Sequence, residues 1–404
     1  MRVDLLTREY PPNIYGGAGV HVAELSKVLA DHADVHVHAF DGPRDGNPVP
    51  GVTVTGYDYL DGLEGNDAIK TFGVDLQMVA GVEGADLVHS HTWYANLAGH
   101  LSGLMYSIPH IISAHSLEPL RPWKREQLGG GYELSAFAEK TAYEGAAGLV
   151  AVSRAMREDI LRSYPKVDES KVEVIHNGID LDAWKRPESL DEAEAYFRSY
   201  GLDPDRPTII FVGRITRQKG VPHFLRAVAQ LPRDIQVILC AGKPDTVEIA
   251  NEVRGLVEDL QKERDGIVWI EEHLPHDKMV FLQSMSTTFV TPSVYEPLGI
   301  VNLEAMACGL PVVGSDTGGI PDCIVHNETG LLVPIDQVDD GTGTPKDSTQ
   351  FEADLASALV EVCADPERAA AMGKVGRKRV EEQFSWDSIA VKTMDFYRRV
   401  LDRF

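Results

Sequence analysis

The chain has 404 residues, 43% of them apolar and 25% charged, with 62 acidic against 38 basic side chains for a net charge of −24. That length exceeds one ordinary core and predicts two domains of roughly 200 residues each. The acidic field repels nucleic acid and anionic lipid, which excludes both as partners, and any anionic ligand must be held by local positive charge.

Apolar strands alternate with helical patterns throughout. In the first half, strands are expected at Val3–Leu6, Val35–Phe40, Val52–Thr55, Asp86–His89, His110–Ala114, Leu149–Val152 and Val172–Ile175. Helical periodicity marks Val20–Leu29, Leu97–Tyr106, Leu134–Tyr143 and Ala155–Ser163. The second half repeats the rhythm, with strands at Thr208–Val212, Gln236–Cys240, Ile267–Ile270, Thr288–Val290, Val312–Gly314 and Leu331–Val333. Its helices are expected at Val221–Leu231, Val247–Glu263, Asp277–Met285, Ile300–Ala307 and Phe351–Cys363, and two more, Glu367–Glu382 and Trp386–Leu401, close the chain. Alternation of this kind predicts a parallel sheet covered on both faces, twice over. The boundary falls in the Pro-punctuated, charged stretch Asp180–Asp205, which sets domains of 1–184 and 185–385. Asp336–Ser348, rich in Gly, Asp and Thr, reads as a surface loop. The four cysteines, Cys240, Cys308, Cys323 and Cys363, are dispersed in or beside apolar runs and read as reduced buried thiols. Met1–Leu6 enters a strand with no leader pattern, and no apolar run nears the roughly 20 residues of a bilayer span, so a cytoplasmic protein is expected.

The stretch Gly213–Gly220 follows a strand and opens a helix, with Arg214 and Lys219 set among glycines. Glycines let backbone approach a ligand, a helix start supplies N–H groups, and the two cations neutralise an anion, so the expected ligand is a phosphate. Further on, Glu296 and Glu304 bracket a second helix start, with Pro297 expected in its first turn and the N–H groups of Leu298 and Gly299 turned to a ligand. Eight helical residues rise about 12 Å, too far for the two carboxylates to share one bond, so each is expected to grip a different part of a long ligand. Gly16-Gly17-Ala18-Gly19 is a third phosphate-compatible turn, although a plain flexible loop fits the same residues. His115 follows the strand His110–Ala114, at the end of a strand where sites form. His89 and His91 project to one side of their strand, but no further metal ligand is evident from spacing, and no metal is expected. Asp180-Leu181-Asp182 reads as a cap in a turn after Asn177-Gly178.

These residues together resemble the retaining GT-B glycosyltransferases of family four. The most specific parts are Gly213–Gly220, the Glu296–Glu304 block, Thr317-Gly318-Gly319 and Asn177–Asp180. In the first half, Thr7–Pro12, Tyr15–His21, His91–Tyr94 and Ser113–Ser116, with the stretch Leu117–Tyr132, look like the actinobacterial glycogen synthase group. The resemblance implies two Rossmann-like doubly wound domains facing across a cleft, the last helix (386–404) crossing back to the first domain. It implies a glucosyl donor, ADP-glucose, with glucose 1-phosphate or α-1,4-glucan as acceptor, retention of configuration, and neither metal nor cofactor. Arg214 and Lys219 would hold the donor phosphates with the Gly16–Gly17 backbone. Glu296, Leu298 and Gly299 would meet the donor glucose, Glu304 the ribose, and His115 the transferred glucose.

For the acceptor, Arg121, Lys124 and Arg125 form a basic cluster suited to a phosphate, while Trp93, Tyr94 and Trp123 would suit a glucan. Three rivals share parts of the pattern. A GDP-mannose-dependent transferase acting on membrane lipid should carry a basic amphipathic helix, and Val20–Leu29, with Glu24 and Lys27, is not basic. A sugar-nucleotide epimerase transfers nothing to an acceptor, and a non-catalytic sensor would not need Arg214, Lys219, Glu296 and His115 intact. Other UDP-sugar donors and a homodimer are compatible with the same residues.

Overall fold

The central strands are short apolar runs buried on both faces, and they pair in parallel because the connections between strands, most of them helical, carry the chain back to the start of the sheet. The computed structural model describes residues 1–404 except 45, 47, 48, 64, 122–128, 243 and 340. The chain divides into two compact units, Met1–Gly178 with Trp386–Phe404, and Ile179–Ser385. No helix among the described residues is long and apolar enough to cross a membrane.

The first unit contains β1 (Arg2–Thr7), α1 (Gly17–Leu29), β2 (Asp34–Ala39), β3 (Val52–Gly56), α2 (Asp67–Gly81), β4 (Leu87–His91) and α3 (Trp93–Tyr106). It continues through β5 (His110–Ala114), α4 (Gly130–Gly145), β6 (Gly148–Ala151), α5 (Arg154–Ser163) and β7 (Val172–Val174). The parallel sheet runs β3-β2-β1-β4-β5-β6-β7. Leu5 on β1 stands beside Val37 on one side and His89 on the other. Strand order reverses between β1 and β4, and the crevice beyond their carboxyl ends is where such sheets receive ligands. The final helix of the chain joins this unit, burying Trp386, Ile389, Met394 and Tyr397 in the core with Val3, Leu5 and Val22. Each such apolar side chain contributes about 1.5–3 kcal/mol on burial.

The second unit has α6 (Asp191–Ser199), β8 (Thr208–Arg214), α7 (Val221–Val228), β9 (Gln236–Gly242), α8 (Val247–Glu263), β10 (Ile267–Ile270) and α9 (His276–Met285). It is completed by β11 (Thr288–Thr291), α10 (Ile300–Ala307), β12 (Val312–Ser315), α11 (Ile320–Cys323), β13 (Gly330–Val333), α12 (Ser348–Ala364) and α13 (Pro366–Gln383), before α14 (Trp386–Leu401). Its sheet, β10-β9-β8-β11-β12-β13, reverses between β8 and β11.

Four of the differences from the sequence expectation have a local cause. Gly213 and Arg214 extend β8, because they pair with Ala241 and Gly242 of β9, so the turn itself is 215–220. Gly299 sits at φ +92 and delays α10 until Ile300, which leaves Pro297 before the helix and not in its first turn. Helix α2 carries no clear apolar stripe, since its buried face includes Thr71, Gly73 and Asp75. Its start is fixed by Asn66, whose side chain accepts from the Ala68 N–H. Helix α6 lies inside the charged linker, burying only Ala193 and Phe197, with Asp191, Glu192 and Glu194 favourably placed in its first turn.

Candidate active site

In the second unit the site grows from the carboxyl ends of β8 and β11. The turn after β8 is pinned to the loop after β11 by the Val294 N–H, which donates to the Gln218 carbonyl at 2.9 Å. Gly220 takes φ +66, and a Cβ there would lie 1.9 Å from the Pro292 carbonyl oxygen, so only glycine fits. The close approach brings Lys219 Nζ within 2.6 Å of Glu296 Oε2, in a pair whose side chains are 21% and 7% exposed. Ser293 Oγ also donates to Glu296 Oε2, at 3.2 Å. Behind them, the Gly319 N–H donates to the Glu296 carbonyl at 2.8 Å. A Cβ on Gly318, at φ +56, would meet that same oxygen at 2.1 Å. The expected Thr317-Gly318-Gly319 motif therefore works as a bed under Glu296.

Arg214, at the end of β8, is 64% exposed and pairs with Asp245 at 3.3 Å. An exposed pair of this kind contributes about 0–1 kcal/mol, so little holds Asp245 to the guanidinium. The N–H groups of Leu298 and Gly299 find no acceptor among the described residues. Glu304 is half-buried on α10, and burial pushes its carboxyl up to about 7 while the Lys219 ammonium pulls the other way. Both acids thus feel the same cation, and since α10 begins at Ile300, the helical rise assumed from Glu296 does not apply.

In the first unit the site gathers beyond β1, β4 and β5. Each strand end delivers a polar group: Arg8 follows β1, His91 ends β4 and His115 follows β5. His91 Nδ1 lies 3.0 Å from His115 Nε2. His21 of α1 packs against His115 with ring centroids 4.7 Å apart, and against Trp386 at 5.4 Å. Burial drives His115 down to about 4 and holds His21 and His91 well below the ordinary imidazole value, so all three are neutral at pH 7. His89 is separate from them in role: its nitrogens bond Tyr397 Oη at 2.6 Å and Ser113 Oγ at 2.9 Å, tying α14 to the sheet.

Beside this cluster, Trp93 and Tyr94 stack at 4.2 Å at the start of α3. The Arg8 guanidinium lies 4.6 Å from the Tyr94 ring centroid and donates to Tyr59 Oη at 3.1 Å. These residues and Lys70 of α2 line a cavity of about 520 Å³. Arg8 and Lys70 were not expected from sequence. Lys70 lies on the unrecognised α2, and Arg8 is a lone cation whose position only the β1–β4 crevice reveals. Arg121 is held by Ser116 Oγ at 3.2 Å and faces Glu118 at 3.8 Å, so its charge is partly spent within the loop. Glu139 braces that loop, accepting from the Glu118 N–H at 2.7 Å, and burial raises its carboxyl to about 8. Lys124, Arg125 and Trp123 lie outside the described residues.

The glycine-rich turn differs from the phosphate cradle expected of it. The N–H groups of Tyr15 and Gly16 donate to Glu9 Oε2 at 2.8 and 2.7 Å, so a carboxylate of the chain already occupies the Gly16 donor. Gly17 opens α1 directly after it. Asp180 caps its own turn, its side chain accepting from the Asp182 and Ala183 N–H groups at 3.0 and 2.9 Å.

Residues 15–183 match the family model described as Glycosyltransferase Family 4, and residues 192–379 match that of the group 1 glycosyl transferases. The chain belongs to the group 1, family-four glycosyltransferases, and it is an enzyme of that class. It is 50% identical to the alpha-maltose-1-phosphate synthase of Mycolicibacterium smegmatis over 402 residues, 99% of this chain and 100% of that one. In fold it matches the sucrose-phosphate synthase of Thermosynechococcus elongatus, with a TM-score of 0.77 and 24% identity across 100% of both chains. The catalytic domain of Starch Synthase IV from Arabidopsis thaliana, bound to ADP and acarbose, matches with a TM-score of 0.75 and 18% identity over 99% of each chain. The fold is thus the GT-B arrangement of two parallel Rossmann-like sheets.

Proposed function

We propose that this glycosyltransferase moves glucose from ADP-glucose to glucose 1-phosphate, with retention, giving α-maltose 1-phosphate and ADP. The observation that carries the reading is the 50% identity, end to end, with a protein named for that synthesis. In the reaction the bond from glucose C1 to the diphosphate oxygen breaks and a bond from C1 to the acceptor 4-hydroxyl oxygen forms. The acceptor proton passes to the departing phosphate.

The second unit supplies what the leaving group needs. Arg214 and Lys219 face the diphosphate, and charge growing on its oxygen is stabilised by fixed cations to the extent of several kcal/mol. Glu296, held by Lys219 and Ser293 from the front and by Gly318-Gly319 from behind, accepts donor glucose hydroxyls. Leu298 and Gly299 offer their N–H groups, and Glu304 accepts the ribose hydroxyls. In the first unit neutral His115 meets the transferred glucose. For the acceptor, the cavity of the first unit joins the two cations Arg8 and Lys70 to the Trp93, Tyr94 and Tyr59 rings. That lining supports a phosphorylated sugar, whose charge needs cations and whose ring needs a flat apolar face.

Incubating the enzyme with ADP-glucose and either glucose 1-phosphate or glycogen, and identifying products by mass, tests the reading. A hexose disaccharide monophosphate formed faster than glucan is extended is the expected outcome. Glucan extension with no disaccharide phosphate would assign the enzyme to polymer synthesis, and turnover only with UDP- or GDP-sugars would reject the donor.

A further inference from the structure

Three imidazoles converge in the first unit with an arrangement that sugar transfer does not require. One ring nitrogen from each of His21, His91 and His115 lies within 4.8 Å of the others. The closest pair, His91 Nδ1 and His115 Nε2, is 3.0 Å apart. In a tetrahedral Zn²⁺ site with metal–nitrogen bonds of about 2.0–2.1 Å, the nitrogens stand roughly 3.3–3.4 Å from one another. The three rings bracket that spacing, so a small outward shift of the close pair and an inward turn of His21 would complete it.

A second observation points to a missing partner. Neither ring nitrogen of His21 makes a hydrogen bond of normal geometry, although the residue is only 5% exposed, while His91 Nδ1 and His115 Nε2 satisfy only each other. The Asn177 side chain lies near enough to His21 to favour its protonated form, yet its carbonyl oxygen is also unsatisfied. Buried polar atoms are nearly always paired, because leaving one unmade costs about 1–3 kcal/mol. Three imidazoles with one nitrogen each turned to a common point offer the donor set that a borderline-soft divalent metal takes, the ion displacing the proton shared by His91 and His115. His115 is the most exposed of the three and gives an ion its way in.

We propose that His21, His91 and His115 form a binding site for a divalent transition metal of the Zn²⁺ class, and that its occupation blocks glucose transfer. Three protein nitrogens leave the fourth tetrahedral position to water. The ion adds no step to the reaction. It takes the His115 lone pair and places a cation where the transferred glucose would sit. The inhibitory half rests on the reading of His115 given above, whereas the site itself does not.

The test uses the full chain, stripped with chelator and titrated with Co²⁺, whose tetrahedral complexes absorb strongly in the visible. We expect one equivalent bound with that spectrum, displaced by Zn²⁺, and affinity lower by more than about tenfold in His21→Asn and His91→Asn. Thermal melts of the variants check that they fold, and an anomalous difference map of wild-type crystals soaked in Zn²⁺ should show a peak among the three rings. A peak elsewhere, no binding, or unchanged affinity in both variants would overturn the site. Binding at this place with transfer from ADP-glucose unaffected would overturn the inhibition, and with it the role of His115, while leaving the site standing. Full recovery of activity on adding chelator supports both halves.

Discussion

The two units share a parallel strand order and its switch point, seven strands in one and six in the other, but they furnish their sites in opposite ways. The second unit builds with backbone: Gly220 and Gly318 let chain pass within about 2 Å of where a side chain would begin, and one ion pair, Lys219–Glu296, sits on that frame. The first unit builds with side chains, three imidazoles and a group of aromatic rings around Arg8. Holding a diphosphate demands close backbone and fixed charge, a requirement common to many donors. Choosing an acceptor demands shape and chemistry particular to one substrate, which interchangeable side chains supply. Removing the second unit's cations should therefore abolish reaction, and changes in the first unit's aromatic and cationic cavity should redirect it.

The largest effect should come from the cations of the second unit. Lys219→Ala and Arg214→Ala should each lower kcat with ADP-glucose by at least about a hundredfold, close to 3 kcal/mol of lost transition-state stabilisation. Steady-state rates measure it, and near wild-type turnover would break the contrast. Next, Gly318→Ala forces a Cβ against the Glu296 carbonyl at a positive φ, and should cost about 1–3 kcal/mol of stability. A melting temperature lowered by several degrees, with donor affinity reduced in parallel, is expected.

In the first unit, Arg8→Ala and Lys70→Ala should leave kcat nearly intact while raising KM for glucose 1-phosphate about tenfold, the worth of one charged hydrogen bond. KM for an uncharged glucan acceptor, measured alongside, should barely move. Equal rises for both acceptors would mean that the cavity does not read the phosphate.

The smallest effect concerns Glu304. Its folded value of about 7 lies above the ordinary 4.5, so the neutral form is favoured in the folded protein. The stability it contributes is complete below about pH 4.5 and is lost as pH rises through 7. Ionised Glu304 is also the better acceptor for sugar hydroxyls, so KM for donor should fall severalfold between pH 6 and 8. Glu304→Gln should flatten both dependences, as denaturant titrations and kinetics across that range would show.

The same contrast explains what the sequence disclosed. The turn that carries Arg214 and Lys219 was legible as a candidate phosphate site because its glycines and cations are local in the chain. The alternation of β-branched runs with amphipathic stretches was enough to predict two parallel sheets. The first-unit cavity was not legible, because Arg8, Tyr59, Lys70 and Tyr94 come from four separate elements and meet only in three dimensions. Helix α2, which brings Lys70, hides its face behind buried Thr71 and Asp75. The histidine cluster shows the same limit. His89 and His91 were visible as a pair on one strand, yet the rings that converge with His91 are His115 after β5 and His21 on α1, while the His89 nitrogens bond Tyr397 and Ser113. Gly16 marks another gap, since nothing in the Gly-Gly-Ala-Gly pattern reveals that Glu9 reaches back to occupy its N–H.

A crystal structure of the enzyme with ADP-glucose or ADP bound is the most direct test of donor capture by the second unit. The diphosphate should lie within hydrogen-bonding reach of Arg214 and Lys219, with Asp245 released from Arg214 and the sugar-side contacts at Glu296. Phosphates seated away from both side chains would contradict the account.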